Sequence, residues 1–147
     1  MTTETLDLAR RAVACDGWRW LYGCPATATF AGEDVQLICM GHDNGRTADF
    51  YCLDHVEMWD CLHVDEQRGV DLRPDFDEPA ATGCLLHLVR EAWGDLSMNA
   101  IYADPKEHGL SGPPSWVVCN DIGDRFSEEL PTEAAALVEA LEAGSNQ

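Results

Sequence analysis

The chain has 147 residues, of which 46% are hydrophobic and 24% charged, a composition that excludes disorder over most of its length because the apolar residues suffice to form a core. Its 27 Asp and Glu residues against 9 Lys and Arg residues give a formal net charge of −18. This charge excludes ordinary binding to a nucleic-acid backbone or to an anionic membrane surface, because both require clustered cations.

The N-terminal half predicts one helix followed by strands. Residues 3–15 carry apolar side chains at helical spacing, with Thr3 as the N-cap and Gly17 as the stop. The stretches that follow are rich in aromatic and β-branched residues and are broken by glycine and proline, which is typical of strands. They are residues 18–22, 26–30, 34–41 and 47–56.

The last two of these strands flank Asn44-Gly45, the strongest short signal for a β-hairpin, because both central residues of its turn need positive φ. A two-residue turn there would place Cys39 opposite Phe50 and Cys52 opposite Leu37. Both thiols would then lie on one apolar face of the hairpin.

The C-terminal half predicts two more helices and a second hairpin. Residues 58–78 form an acidic, irregular surface segment with one short strand at 62–64. The helices are closed by Gly94 and Gly144, and a loop rich in proline and glycine joins the two strands. The helices cover residues 79–93 and 132–143, and the strands cover residues 98–102 and 116–119.

This order of elements, α-β-β-β-β-α-β-β-α, predicts an α+β fold in which three helices pack against an antiparallel sheet. The length suits one sandwich-like domain over residues 1–147, with the acidic segment 58–78 as its irregular part.

The sequence also predicts the compartment. No run approaches the roughly twenty apolar residues of a membrane helix, and the N-terminus is acidic where a secretory signal is basic. The seven cysteines are an odd number scattered among apolar neighbours, which favours buried free thiols in the reducing cytoplasm.

Two Cys-x-x-His pairs, Cys39 with His42 and Cys52 with His55, contain the ligands of a closed zinc site. The hairpin register opposes this reading, because side chains alternate along a strand and both histidines would point away from the thiols. Only a tight turn in place of the hairpin would bring the four together. We therefore predict no cofactor and keep zinc as the alternative.

No catalytic motif stands out. Cys84 and His87 lie three residues apart on the second predicted helix and are able to touch, but a reactive thiol needs an electropositive setting that this acidic chain hardly offers. The glycine-rich turns that position a nucleophile or a phosphate are absent from the sequence. We expect a protein that is not an enzyme.

The negative charge itself is the main functional signal. With so few cations, large areas of surface keep a negative potential, which attracts basic partners and is able to imitate nucleic acid. The carboxylates predicted to contact such a partner lie mainly in the acidic segment. They are Asp60, Asp65, Glu66, Asp71, Asp75, Asp77 and Glu78, together with Glu128 and Glu129.

Three blocks of sequence resemble a group of small bacteriophage and prophage proteins of unassigned function, some of which are described as α-β-α sandwich domains. The blocks are GWRW at residues 17–20, PDFDEPAATGCLLHLVREAWGD at 74–95 and PTEAAALVEALEA at 131–143. The resemblance covers between a third and a half of the chain and supplies no catalytic residues. It implies the setting of a phage accessory gene.

Charge and resemblance together predict a phage accessory protein in the host cytoplasm. As a monomer or homodimer, it would bind and inhibit a basic host protein or defence complex, in the manner of an anti-CRISPR or anti-restriction protein, without binding nucleic acid or membranes. A zinc-stabilised structural or regulatory phage protein is the alternative, and a small enzyme acting on a nucleotide signal is the third hypothesis.

Overall fold

The computed structural model describes residues 2–30, 32–42, 48–52, 61–64 and 71–146. In this part of the chain three α-helices and seven strands form an α+β fold, which confirms the predicted class. In chain order the elements are α1 (Thr3–Ala14), β1 (Pro25–Phe30), β2 (Glu33–His42), β3 (Ala48–Cys52), β4 (Cys61–Val64), β5 (Asp71–Pro74), α2 (Pro79–Trp93), β6 (Asn99–Ala103), β7 (Ser115–Cys119) and α3 (Glu133–Ser145), with a short 3-10 helix at Pro105–His108.

The described strands form two antiparallel sheets rather than one. Five strands are arranged in the order β4-β3-β2-β1-β5, and β6 pairs with β7 alone. Backbone proximity groups the chain into two compact units, residues 1–14 with 18–84 and residues 15–17 with 85–147. The five-stranded sheet and α1 belong to the first unit, and the two-stranded sheet and α3 belong to the second. The prediction of a single domain stays a prediction.

The register of the first hairpin agrees with the sequence argument. Cys39 pairs with Phe50 and Leu37 with Cys52. Beyond Cys39 the pairing shifts by one residue, so that Gly41 lies opposite Asp49, which is the signature of a bulge at Met40. The predicted Asn44-Gly45 turn lies outside the described residues.

The prediction of a strand at residues 18–22 is wrong. This segment has no regular secondary structure, and two of its aromatic residues pack in the core. Trp18 and Trp20 are buried edge to face with their ring centroids 5.2 Å apart, and Trp20 meets Phe50 in the same way at 5.0 Å. Aromatic residues favour strands because they fill half-buried surfaces, and here they fill the core of the first unit from a loop.

The irregular segment predicted over residues 58–78 contains two strands. The short strand expected at residues 62–64 is confirmed as β4, whereas β5 was not predicted. β5 pairs with β1 at the edge of the sheet, where Pro74 is tolerated because its missing N–H is not needed by a further strand.

In the second unit α3 packs against β6 and β7. The hydroxyl of its N-cap Thr132 accepts a hydrogen bond from the amide of Ala135, as the sequence predicts. The helix does not end at Gly144 but continues through it to Ser145, and Gly144 is buried. The indole of Trp93 lies against this glycine and donates a 2.8 Å hydrogen bond to the carbonyl of Ala140.

Among the helices that the structure describes, none combines the length and the apolar character needed to cross a membrane.

Candidate acidic interaction surface

The acidic residues predicted to face a partner divide into three groups. Asp60, Asp65 and Glu66 lie outside the described residues. Asp71 and Asp75 make ion pairs or hydrogen bonds within the first unit, and the remaining four acids are exposed. The exposed ones are Asp77, Glu78, Glu128 and Glu129.

Asp71 belongs to an ion network around a buried arginine. The side chain of Arg73 is only 5% exposed, and its guanidinium contacts the carboxylates of Asp71 and Asp34 at 3.2 Å each. Arg73 also donates to the hydroxyl of Thr29 at 3.0 Å, and Arg10 contacts Asp71 from α1 at 3.0 Å. The charge of Asp71 is therefore largely balanced inside the first unit.

Asp34 shows the electrostatic consequence of this network. Hydrogen bonds from Thr29 and from Arg73 lower the pKa of its carboxyl group, because both stabilise the charged form. Thr29 lies on β1 and Asp34 lies on β2, so the network connects the edge strand β5 to both of these strands.

Asp75 is a structural residue rather than a surface acid. It is 7% exposed, and its amide donates a 3.0 Å hydrogen bond to the carbonyl of Pro25. Its carboxylate accepts a hydrogen bond from the amide of Asp77 at 3.2 Å, which shapes the turn before α2. Asp75 therefore offers little surface to a partner, in contrast to the role predicted for it.

Glu128 and Glu129 are exposed in the second unit. The backbone amide of Glu128 donates a 2.8 Å hydrogen bond to the carboxylate of Glu139. Glu129 lies 3.6 Å from the guanidinium of Arg125, an exposed pair that screens its charge only weakly.

A group of acids that the sequence did not predict lies at one end of the two-stranded sheet. We call Asp95, Asp121 and Asp124 the Asp95 cluster. The hydroxyl of Ser97 lies 2.6 Å from the carboxylate of Asp95 and 3.0 Å from that of Asp121. The side-chain amide of Asn120 reaches Asp95 at 3.3 Å and Asp124 at 3.4 Å.

These contacts do not neutralise the Asp95 cluster. The hydroxyl and the backbone amide of Ser97, with a smaller contribution from Asn120, lower the pKa of Asp95 and so keep it charged. A hydroxyl has one proton, so Ser97 is able to donate to only one of the two carboxylates beside it. Among the described residues no lysine or arginine pairs with any of the three acids.

Arginines of the described region are engaged elsewhere. Arg90, the cation nearest in sequence to Asp95, donates to the carbonyl of Met98 at 2.8 Å and to the side chain of Asn99 at 2.9 Å. Arg10 and Arg73 serve the network around Asp71. Arg125 follows Asp124 in sequence but lies 3.6 Å from Glu129, so among the described residues no arginine is paired with the Asp95 cluster.

A pocket of about 470 Å³ lies at the other end of the two-stranded sheet. Its wall includes Ala103 and Ser115, the terminal pair of β6 and β7, and the loop that joins these strands. Asp104 and Glu129 supply two carboxylates to its lining, and His108 lies beside them. Both ends of this small sheet are therefore acidic.

The proposed zinc ligands are only partly described. Cys39 is buried, and its thiol lies 3.7 Å from the carbonyl of Gly41. The side chains of His42 and Cys52, and all of His55, lie outside the described part. Within that part no three Cys, His, Asp or Glu side chains are arranged to hold a metal ion, and the zinc alternative stays a prediction.

The thiols of Cys24, Cys39 and Cys84 lie close together in the first unit and are free of disulfides. Cys24 and Cys39 are joined through their backbones, since the amide of Cys39 donates to the carbonyl of Cys24 at 3.0 Å. The side chain of His87, which the sequence placed within reach of Cys84, lies 3.6 Å from the carboxylate of Glu91.

Comparisons with protein-family models, with curated proteins and with solved structures find no match for this chain.

Proposed function

We propose that the protein is a non-enzymatic phage accessory protein that binds a basic host protein and blocks it through an acidic surface. The observation that carries this proposal is the Asp95 cluster, three carboxylates held together on the second unit with no cationic partner among the described residues. Charges arranged in this way attract a cationic surface and take up charge-assisted hydrogen bonds from arginine and lysine.

The partner proposed is a defence or nucleic-acid-handling protein, because such proteins collect negative charge in a basic channel. Carboxylates at the surface of a chain with a formal net charge of −18 present a similar field to that channel. The resemblance of three blocks of sequence to small phage proteins supports the setting, an anti-CRISPR or anti-restriction role in the host cytoplasm.

The test is a pull-down with tagged protein from a bacterial lysate that contains CRISPR and restriction systems, washed at increasing salt and analysed by mass spectrometry. We expect a basic protein to be retained at about 0.1 M salt, where the Debye length is about 10 Å, and released as salt rises. The double variant Asp121→Asn with Asp124→Asn should retain less of it.

A matched control is Asp7→Asn with Glu33→Gln, which removes the same charge from exposed positions of the first unit. Equal loss of capture in both double variants would assign the effect to net charge rather than to the Asp95 cluster. Capture of no basic protein by the unmodified chain would overturn the proposed function.

A further inference from the structure

The two edges of the small sheet differ in their hydrogen bonding. On the outer side of β7, Trp116 exchanges two hydrogen bonds with Leu130, at 2.7 and 2.8 Å. Val118 accepts from the amide of Phe126 at 2.8 Å and donates to the hydroxyl of Ser127 at 2.9 Å. The segment around residues 125–130 therefore covers the outer edge of β7.

These bonds fix the direction of the main-chain groups on β6. Because the N–H and C=O of Trp116 and Val118 point away from β6, the residues opposite them, Tyr102 and Ala100, point their own groups away from β7. Among the described residues no hydrogen bond uses these groups of Ala100 and Tyr102. β6 therefore has an edge with two donors and two acceptors ready to pair with another strand.

The side chains along this edge are apolar in the middle. Ile101 is 47% exposed and Tyr102 is 50% exposed, and Tyr102 is braced by the ring of Trp116 at 5.2 Å. The Asp95 cluster lies where β6 begins, and the acidic pocket with Asp104 lies where it ends. A strand that pairs with β6 would thus meet apolar surface with carboxylates beyond both ends, and with the guanidinium of Arg90 on Met98 and Asn99 where β6 begins.

We propose that the edge of β6 binds an extended segment of the partner protein by strand addition. The segment would carry apolar or β-branched residues opposite Ile101 and Tyr102, and a lysine or arginine at the end that enters the pocket beside Asp104 and Glu129. Strand addition gives affinity through the main chain and specificity through such side-chain positions. This proposal rests on the proposed function and names the kind of surface that the acidic protein recognises.

Charge distinguishes this occupant from a second copy of the chain. Two copies of β6 paired antiparallel about Ile101 would set Asp104 of each opposite Met98 of the other, next to the other copy's Asp95 cluster. Two copies that each carry a formal net charge of −18 would repel one another. A basic segment is instead attracted by this net negative charge.

The test uses a defined probe, the synthetic peptide acetyl-Lys-Lys-Val-Thr-Val-Thr-Lys-Arg-amide, titrated into ¹⁵N-labelled protein. We expect the amides of Ala100 and Tyr102 to become protected from hydrogen exchange by about tenfold or more, because each gains an acceptor. A peptide with Glu in place of every cation, and one N-methylated at alternate residues of its central Val-Thr-Val-Thr run, should both bind at least about tenfold more weakly.

Protein variants provide a second measurement. Ala100→Pro removes an outward N–H that the pairing with β7 does not use, and it should weaken peptide binding about tenfold. Ala100→Val keeps the N–H and should bind as the unmodified chain does. The N-methylated peptide keeps the proposal testable if Ala100→Pro does not fold.

Each contrary result has its own meaning. If the peptide binds at the Asp95 cluster without protecting Ala100 and Tyr102, strand addition is overturned while the acidic-surface function stands. Protection of these amides by self-association without peptide would make a second copy the occupant and would overturn the proposal as well. Failure of the peptide to bind overturns it too, whereas the lysate pull-down tests the proposed function separately.

Discussion

The thiol of Cys24, the residue before β1, lies beside that of Cys84 on helix α2 within the first unit and donates a 3.6 Å hydrogen bond to the carbonyl of Pro25. Cys24 is fully buried, whereas Cys84 is only partly buried. A hydrogen bond from Cys24 to the thiolate of Cys84 would stabilise this charged form, which lowers the pKa of Cys84 from the ordinary value of 9.0 to about 7. The pKa of Cys24 is raised, because it serves as the donor and is desolvated.

We therefore predict that Cys84 reacts with iodoacetamide at pH 7 faster than Cys15 or Cys119. Cys24→Ala removes the donor and should slow the alkylation of Cys84 about fivefold, because the smaller thiolate fraction outweighs the higher nucleophilicity of each thiolate. Cys24→Ser keeps a hydroxyl donor and should slow it less. The rates are measured by mass spectrometry of peptides, and equal rates for Cys84 and Cys119 in the unmodified chain would refute the prediction.

The elements that the sequence predicted well are those governed by local pattern. The predicted bounds of the second helix coincide with α2, since Pro79 begins it and Gly94 follows it. The hairpin register of β2 and β3 follows from alternation alone as far as the bulge. Strand β5 was missed because its stability comes from pairing with β1 and from the buried Arg73, both of which involve residues distant in sequence.

The candidate site was harder to predict for the same reason. The acids at positions 95 and 121 meet only because β6 and β7 pair in antiparallel and bring Ser97 next to Asp121. The density of acidic residues along the chain predicted an interaction surface at residues 58–78, but within it Asp71 and Asp75 form contacts inside the first unit. The sequence did contain a signal for this cluster. Asp, Asn and Ser, which favour turns, occur just before the first strand and just after the second strand of the predicted second hairpin.

Two helical glycines predict opposite effects of the same substitution. A Cβ on Gly144 would lie 2.8 Å from the indole nitrogen of Trp93 and 3.1 Å from the Cβ of Ala92. Gly144→Ala should therefore lower the free energy of unfolding by about 1–3 kcal/mol through overpacking. A Cβ on Gly83 meets nothing within 4 Å, so Gly83→Ala should raise it by up to about 1 kcal/mol.

Urea unfolding of the two variants against the unmodified chain measures both effects. The pair controls for the direction of the change in helix propensity, which favours alanine at both positions. If Gly144→Ala stabilised the protein as much as Gly83→Ala, the close packing of α3 against Trp93 would be refuted.

We expect the lowered pKa of Asp34 to make the stability of the protein depend on pH in the acid range. Asp34 has its pKa lowered in the folded state, so it contributes stability above the unfolded pKa, and this contribution is lost as pH falls through the folded pKa. Asp34→Asn should therefore unfold at lower urea than the unmodified chain at pH 6, and the difference should shrink towards pH 3. Glu33→Gln, one residue away and outside the contacts of Arg73, is the matched control. A constant difference across this pH range would contradict the prediction.

The Asp95 cluster predicts a conflict between stability and function. The single proton of Ser97 serves only one of the two carboxylates beside it, so the charges of Asp95 and Asp121 repel each other until a cation approaches or salt screens them. Asp121→Asn should raise the urea midpoint at low ionic strength, and the gain should fade near 1 M salt, where the Debye length is about 3 Å. Asp95→Asn should lower the midpoint instead, because Asp95 also accepts the amides of Ser97 and Asn120. If Asp121→Asn stabilises the free protein but weakens the capture of a basic partner, Asp121 serves binding rather than stability. The urea midpoint and the pull-down of this one variant therefore decide whether the Asp95 cluster is a binding site.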